Sequence, residues 1–256
     1  QRQMCIRDRV NVVESGFRST DWQQLTFAVV GMGLIGGSYA KALRRLGVKK
    51  IIGVDTDGKV LRQAQEQAVI DEALCGAGPG LQAADVVICS VYPASTLDFV
   101  KSAVPFLKSD VLITDATGIK GSLPEDVQRL LTGRMEFIAG HPMAGRQGSG
   151  LGMSQAEIFD GANYIVVPAA FNSSGAIEWL SSFAGAIGCG QVVQVDAVEH
   201  DRIIAYTSNL PHALAVALIN SASYNENTKY FIAGSFRDGT RAVSYTHLTL
   251  PTNSLV

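Results

Sequence analysis

Two short segments of the sequence carry residues whose types and spacing could do chemistry on a small molecule. Residues 31–36, GMGLIG, place three glycines at the spacing that lets a backbone approach a pyrophosphate. Residues 140–145, GHPMAG, hold a histidine between a glycine and a proline. Imidazole titrates near neutral pH, so His141 could take the proton that a hydroxyl loses when its carbon gives up a hydride. Together the segments indicate a dinucleotide site with a histidine base.

This chemistry requires a strand, a tight turn and a helix around the glycines. Leu25 to Val30 is an apolar run that predicts a buried parallel strand, and Leu34 to Leu46 predicts the following helix, whose free N–H groups would face the phosphates. Asp55 ends a second apolar run about 20 residues after the glycines, where a carboxylate accepts from ribose hydroxyls. Asp55 would repel a 2′-phosphate, so NAD is favoured over NADP. The alternative is a purely structural strand–turn–helix.

Strands and helices alternate further along the chain, which predicts an α/β fold with a doubly wound, mostly parallel sheet of the Rossmann type. Strands are predicted at residues 85–90, 111–115, 135–139, 164–167 and 191–195, and helices at residues 60–69, 95–104, 123–131 and 174–187. Residues 198–221 read as a long helical stretch that Pro211 should kink or interrupt. We therefore expect a dinucleotide-binding domain at residues 22–195 and the start of an all-helical domain at residues 196–242.

The polar residues at the carboxyl ends of the strands are candidates for the site, because ligands of such folds bind at that edge of the sheet. His141 is predicted there, on a short loop directly after its strand. The residues expected to contact the cofactor are Gly31, Gly33, Leu34, Ile35, Gly36, Asp55, Ser90, Tyr92 and Asp115.

Composition argues against several other classes of protein. The chain has 256 residues and a net charge of -2, so its charge indicates neither a nucleic-acid partner nor a membrane. We find no apolar stretch as long as a membrane span and no apolar core of a signal peptide. The four cysteines are scattered, without the spacing of a disulfide framework or a zinc site. We therefore expect no metal and a cytoplasmic location.

Several motifs, in matching order from about Phe27 to Arg241, resemble those of the prephenate/arogenate dehydrogenase family. Residues 140–150, GHPMAGRQGSG, resemble its H-P-M-A-G-x-E-x-S-G segment, and residues 115–121, DATGIKG, resemble its D-x-x-S-V-K-G loop. Residues 199–212 resemble its H-D…S-H-L-P-H segment, and residues 233–241 its G-G-G-F-[RK]-D-x-T-R segment. Three positions depart from the pattern: Gly118 replaces the loop serine, Gln147 a glutamate and Asn209 a histidine.

The resemblance implies an NAD-dependent oxidative decarboxylation of prephenate to 4-hydroxyphenylpyruvate, a step of tyrosine biosynthesis. His141 would accept the proton of the ring hydroxyl, and Arg241 would bind a substrate carboxylate. His200 is expected to be structural. The helical domain is expected to dimerise, giving a homodimer for the full-length protein. The other residues expected at the substrate site are Ser208, His212, Gln147 and Thr117.

Three alternatives stay open at this point. The substrate could be arogenate, whose ammonium would favour a carboxylate in the pocket, although Gln147 in place of glutamate leans towards prephenate. Another hydroxyacid dehydrogenase of related fold would usually rely on a lysine base instead of a histidine. Finally, residues 1–10 and 243–256 resemble translated adapter sequence, so we expect non-native tails and a truncated helical domain. Such a chain would bind NAD and self-associate, with little or no activity.

Overall fold

The computed structural model describes residues 20–240, and within them the chain forms strands and helices in near alternation up to residue 194. The strands are β1 (Thr26–Val30), β2 (Lys50–Val54), β3 (Glu72–Leu74), β4 (Val86–Cys89), β5 (Leu112–Asp115), β6 (Glu136–Pro142), β7 (Asn163–Val167) and β8 (Gln191–Gln194). The helices are α1 (Leu34–Arg45), α2 (Gly58–Glu66), α3 (Pro93–Ala103), α4 (Leu123–Leu130), α5 (Ser174–Ala186), α6 (Ala197–Ile204), α7 (Leu210–Ile219) and α8 (Gly234–Thr240).

The strands form one sheet in the order β3-β2-β1-β4-β5-β6-β7-β8. Neighbouring strands are parallel throughout, except that β6 and β7 are antiparallel. The strand order reverses between β1 and β4, and ligands of open α/β sheets bind in the crevice outside the strand ends at such a point. The predicted α/β fold with a mostly parallel, doubly wound sheet is confirmed.

Helices cover both faces of the sheet, so most of its strands are buried. On one face the fully buried rings of Tyr39 on α1 and Phe183 on α5 pack against the strands. On the other face, Val100 on α3 and Val127 on α4 have the same role. A parallel strand that is buried on both sides requires an apolar run such as residues 27–30, and this is why that run predicted β1 correctly.

Two features of the sheet differ from the sequence-based prediction. The sequence predicts that β6 ends at Ala139, but β6 continues to Pro142. The antiparallel strand β7 extends it, because β7 pairs with β6 as far as Pro142, which lies opposite Tyr164. His141 therefore lies within a strand and not on a loop after one. The short edge strand β3 was not predicted, since three half-buried residues carry no recognisable period.

The chain after β8 is helical, as expected. A π-helical turn at Ala205–Asn209 separates α6 from α7, and Pro211 lies in the first turn of α7. Proline lacks an N–H and its ring clashes with the carbonyl of the preceding turn, so a regular α-helix cannot continue through it. The interruption predicted at Pro211 is confirmed.

Within residues 20–240, no helix is both long and apolar enough to cross a membrane. The predicted tails at residues 1–10 and 243–256 lie outside the described residues. Arg241 lies outside them as well.

Candidate active site

The glycine turn between β1 and α1 leaves room for a pyrophosphate. Gly31 has a φ of +84°, and a Cβ there would lie 2.7 Å from the carbonyl oxygen of Ser90. A Cβ on Gly33 would meet nothing within 4 Å, so the space above the start of α1 is open. Gly33 is the N-cap of α1 and offers no side chain to cap it. The first N–H groups of the helix are therefore free to bind an anion.

Asp55, at the end of β2, is held by two backbone N–H groups. Its Oδ2 accepts from the N–H of Met32 at 2.7 Å, and its Oδ1 accepts from the N–H of Asp57 at 2.9 Å. The first bond ties the carboxylate to the glycine turn. Each carboxylate oxygen keeps a second lone pair, so Asp55 can accept from ribose hydroxyls while its orientation is fixed.

A cavity of about 490 Å³ runs from the glycine turn across the crevice between β1 and β4. A smaller cavity of about 200 Å³ adjoins it at Asp55 and reaches Gly76 and Phe99. The two cavities share Gly31 and Asp55, so together they offer space on both sides of the residues expected to bind a dinucleotide. The predicted cofactor residues that line the larger cavity are Gly31, Gly33, Ile35, Asp55, Ser90 and Tyr92.

Three other predicted cofactor residues lie beside this cavity rather than on its wall. Leu34 is the first residue of α1. A Cβ on Gly36 would lie 1.8 Å from the carbonyl oxygen of Gly31, so this glycine serves close packing of α1. Asp115 is fully buried and bonds to the protein's own groups.

His141 opens into a further cavity of about 550 Å³, which adjoins the cofactor cavity at Tyr92, Pro93 and Gly118. A Cβ on Gly118 would lie 3.8 Å from both Nε2 and Cε1 of His141, so this edge of the ring faces the junction of the two cavities. Ser208 contributes to the same cavity from the helical part of the chain. The structure therefore places the His141 ring next to the cofactor cavity.

The other residues predicted at the substrate site lie elsewhere. Thr117 lines the cofactor cavity, and its hydroxyl group is bonded to Asp115. Gln147 is exposed on the loop after β6, and His212 is half-buried in the first turn of α7. Neither is among the residues that line the cavity at His141. Their contribution to substrate binding stays a prediction.

A buried ion pair holds the strand ends beneath His141. Nζ of Lys120 lies 2.7 Å from Oδ2 of Asp115, with both side chains fully buried, and also donates to the carbonyl of Gly140 at 2.7 Å. Oδ1 of Asp115 accepts from the N–H of Gly140 at 3.1 Å. Burial lowers the pKa of Lys120, and the Asp115 carboxylate opposes that shift. The pair clamps the loop after β5 to β6, one residue before His141.

His200, on α6, is in contact with His141. Nε2 of His200 lies 2.9 Å from Nδ1 of His141, and Nδ1 of His200 lies 2.7 Å from Oδ1 of Asp201. The sequence predicts a structural role for His200, since nothing in a local pattern shows that residues 59 positions apart meet. The His-Asp pair in the 199–212 motif was the available signal.

The environment of His141 keeps its ring neutral. Burial lowers the pKa of His141 to about 4, and the nearby positive charge of Lys120 acts in the same direction. A neutral imidazole is the form that accepts a proton. Across residues 20–240, no cluster of histidine, cysteine, aspartate or glutamate is arranged to hold a metal ion.

The fold and these cavities define a Rossmann-type dinucleotide-binding protein that presents a neutral histidine beside its cofactor groove. The family model for the nucleotide-binding domain of prephenate dehydrogenase matches residues 39–193. The model for the prephenate dehydrogenase dimerization domain matches residues 196–246. The chain belongs to the prephenate dehydrogenase family.

Known relatives agree with this membership. The prephenate dehydrogenase of Bacillus subtilis is 32% identical over 225 residues, which cover 86% of this chain and 60% of that protein. The Lactococcus lactis enzyme of the same name is 33% identical, over 83% of this chain and 59% of that protein. This chain thus spans about 60% of the length of these two curated relatives.

Solved structures of the family are similar as well. A prephenate dehydrogenase from Aquifex aeolicus, in complex with hydroxyphenyl propionate and NAD+, has a TM-score of 0.79 and 29% identity, over 88% of this chain and 80% of that chain. The arogenate dehydrogenase of Synechocystis has a TM-score of 0.74 and 28% identity, over 85% of this chain and 78% of that chain.

Proposed function

We propose that this protein is a prephenate dehydrogenase, which uses NAD to convert prephenate into 4-hydroxyphenylpyruvate with loss of carbon dioxide. The observation that carries the proposal is the junction at Gly118, where the cofactor groove meets the cavity of His141. Membership of the family and the two similar dehydrogenases from Bacillus and Lactococcus support it. The hydroxyphenyl group of the Aquifex ligand is shared with the proposed product.

The residues present fit NAD, which supplies a hydride acceptor when it is bound. The glycine turn and the N-terminus of α1 would hold the pyrophosphate, and Asp55 would accept from the ribose hydroxyls of the adenosine half. A 2′-phosphate in place of one hydroxyl would meet the Asp55 carboxylate, and the smaller cavity offers no cation against it. We therefore propose NAD in preference to NADP.

His141 would act as the base. Its Nε2 faces the junction of the cavities and accepts the proton of the ring hydroxyl as the hydride leaves the same carbon. The electron pair of the breaking bond to the ring carboxylate then completes the aromatic ring, and carbon dioxide leaves. The ring oxygen takes the proton back from the imidazolium of His141. The base is thus restored within each turnover.

The helical part would supply the substrate contacts and the dimer contacts. Ser208 already lines the cavity of His141, and the guanidinium of Arg241 would bind a substrate carboxylate. We propose a homodimer for the whole protein, with residues 22–195 as the dinucleotide-binding domain and residues 196–242 in the helical domain. Exposed leucines along one side of α7 support the dimer: Leu210, Leu214 and Leu218. We also propose a cytoplasmic location, in keeping with the free thiols of Cys75, Cys89 and Cys189.

Arogenate is the second candidate substrate, favoured by the similarity to the Synechocystis arogenate dehydrogenase. NADH formation by the purified chain, measured with prephenate, with arogenate and with neither, decides between the two. We expect NADH with prephenate at a higher kcat/KM than with arogenate. A higher kcat/KM for arogenate would reassign the substrate. If neither prephenate nor arogenate gives NADH, the proposed function fails for this chain, and the alternative of a truncated NAD-binding fragment without activity holds.

A further inference from the structure

We propose that His200 and Asp201 are a positioning pair, which holds the proton of His141 on Nδ1 and so keeps Nε2 free for the substrate. Both residues lie on α6, where His200 is buried and Asp201 is the next residue, whereas His141 lies on β6. The helical part of the chain would therefore orient a base that belongs to the dinucleotide-binding part. The kinetic consequence of this inference rests on the proposed function, but its structural content does not.

His141, His200 and Asp201 form a row of hydrogen bonds, and the carboxylate at its end determines the direction of each bond. An ionised carboxylate accepts but cannot donate, so the proton between Asp201 and His200 lies on Nδ1 of His200. A neutral imidazole carries one N–H, so Nε2 of His200 is then an acceptor. Nδ1 of His141, 2.9 Å away, must be the donor. Nε2 of His141 keeps its lone pair.

The loop after β5 keeps Asp201 ionised. Oδ1 of Asp201 accepts from the N–H of Lys120 at 2.9 Å, and Oδ2 accepts from the N–H of Gly121 at 2.7 Å. Burial opposes the charge, but these two N–H groups and His200 outweigh it and hold the pKa of Asp201 below its ordinary value. The acceptor that sets the row of hydrogen bonds is therefore charged at neutral pH.

The same row aims the His141 ring and stabilises the charge that it gains. In the part of the chain that the structure describes, His200 is the hydrogen-bond partner of the His141 ring, and Gly118 has no side chain to offer Nε2. An imidazolium formed at His141 would donate from Nδ1 to His200, with the Asp201 carboxylate behind it. A buried histidine that only filled space would need neither this direction nor this carboxylate.

Proton positions can be read without turnover, by long-range proton–nitrogen correlation spectra of the full chain carrying isotope-labelled histidine. We expect both His141 and His200 to carry their proton on Nδ1, and His200→Leu should turn His141 into a mixture of the two neutral forms. The variants His141→Asn and His200→Gln assign the signals. A proton on Nε2 of His141, or protons on both nitrogens of His200, would overturn the proposal.

Turnover then measures what the positioning contributes. His200→Leu should lower kcat roughly 10- to 100-fold, the range known for groups that orient metal-bound histidines, and leave the KM for NAD unchanged. His200→Gln should recover part of the loss, since its amide oxygen can accept from Nδ1 of His141. Asp196→Asn is the matched control on α6: Asp196 caps that helix, and asparagine caps equally well.

The outcomes separate this inference from the proposed function. Equal losses in His200→Leu and His200→Gln would mean that His200 only packs, and unchanged kcat in both would remove it from the reaction. If the parent chain forms no NADH with either substrate, the proposed function fails for this chain. The spectra would still confirm or overturn the proton positions in that case.

Discussion

Gly31 and Gly36 approach each other so closely that a Cβ on Gly36 would lie 1.8 Å from the carbonyl oxygen of Gly31. Gly33, between them, has open space where its Cβ would be. Gly33 and Gly36, in one motif, thus have different physical tasks. Gly36 lets α1 pack against the turn, and Gly33 leaves room for a ligand.

Alanine substitutions should separate these tasks. Gly33→Ala should leave the free energy of unfolding nearly unchanged but weaken NAD binding, because its methyl group occupies the space of the pyrophosphate. Gly36→Ala should lower both the free energy of unfolding and the affinity for NAD, since its methyl group cannot fit against a backbone carbonyl. Denaturant unfolding and NAD titration of the two variants check this. Equal stability of both variants would show that the turn can shift to accept a Cβ.

The buried pair of Lys120 and Asp115 should be costly to break. Lys120→Met leaves the Asp115 carboxylate without its partner, and we expect unfolding to become easier by about 3–5 kcal/mol. The control is Lys108→Met, which breaks a partly exposed pair with Asp85 and should cost at most about 1 kcal/mol. Urea unfolding at neutral pH measures both. A similar small loss in both variants would contradict the clamp.

His141→Asn tests the base. The variant should bind NAD as the parent does but turn over roughly 10²–10⁴-fold more slowly, because the proton acceptor is lost. NAD titration and steady-state NADH formation provide the two measurements. Turnover close to that of the parent would exclude His141 as the base.

The pH dependence should reflect the low pKa of His141. If the base were an unperturbed histidine, kcat/KM would rise with pH near 6.5. A pKa of about 4 for His141 moves this rise in kcat/KM well below neutral pH. The same shift affects stability with a definite sign: the unfolded state binds the proton first, so this group destabilises the fold as pH falls from 6.5 to about 4. His141→Asn should remove that part of the acid destabilisation. A kcat/KM midpoint near 6.5 assigned to His141 would show that water reaches the ring more freely than the structure indicates.

Cofactor preference should depend on Asp55. The double variant Asp55→Ser with Thr56→Arg should move the preference towards NADP. It replaces the carboxylate by a hydroxyl and the exposed Thr56 by a cation. The arginine would pair with the 2′-phosphate that the carboxylate repels. Ratios of kcat/KM for the two cofactors give the result. Comparable efficiency of the parent with both cofactors would refute the assignment of Asp55.

Much of the fold could be predicted from the sequence because its signals are local. Each signal acts on neighbouring residues, so a pattern of a few residues is enough to predict the element. These signals are the glycine spacing, the apolar runs of the buried strands and Pro211. Asp55 and His141 could be placed at the correct edge of the sheet because parallel strands bring all their carboxyl ends together.

Other features were decided by the tertiary structure alone. The contact between His141 and His200 joins residues 59 positions apart, on a strand and a helix that no local pattern brings together. The extension of β6 depends on the antiparallel β7, and the burial of Lys120 depends on a partner and a carbonyl from two strands. Local propensity selects strand, turn and helix, but contacts between residues far apart in the sequence decide which nitrogen of His141 meets His200 and which faces the junction of the two cavities.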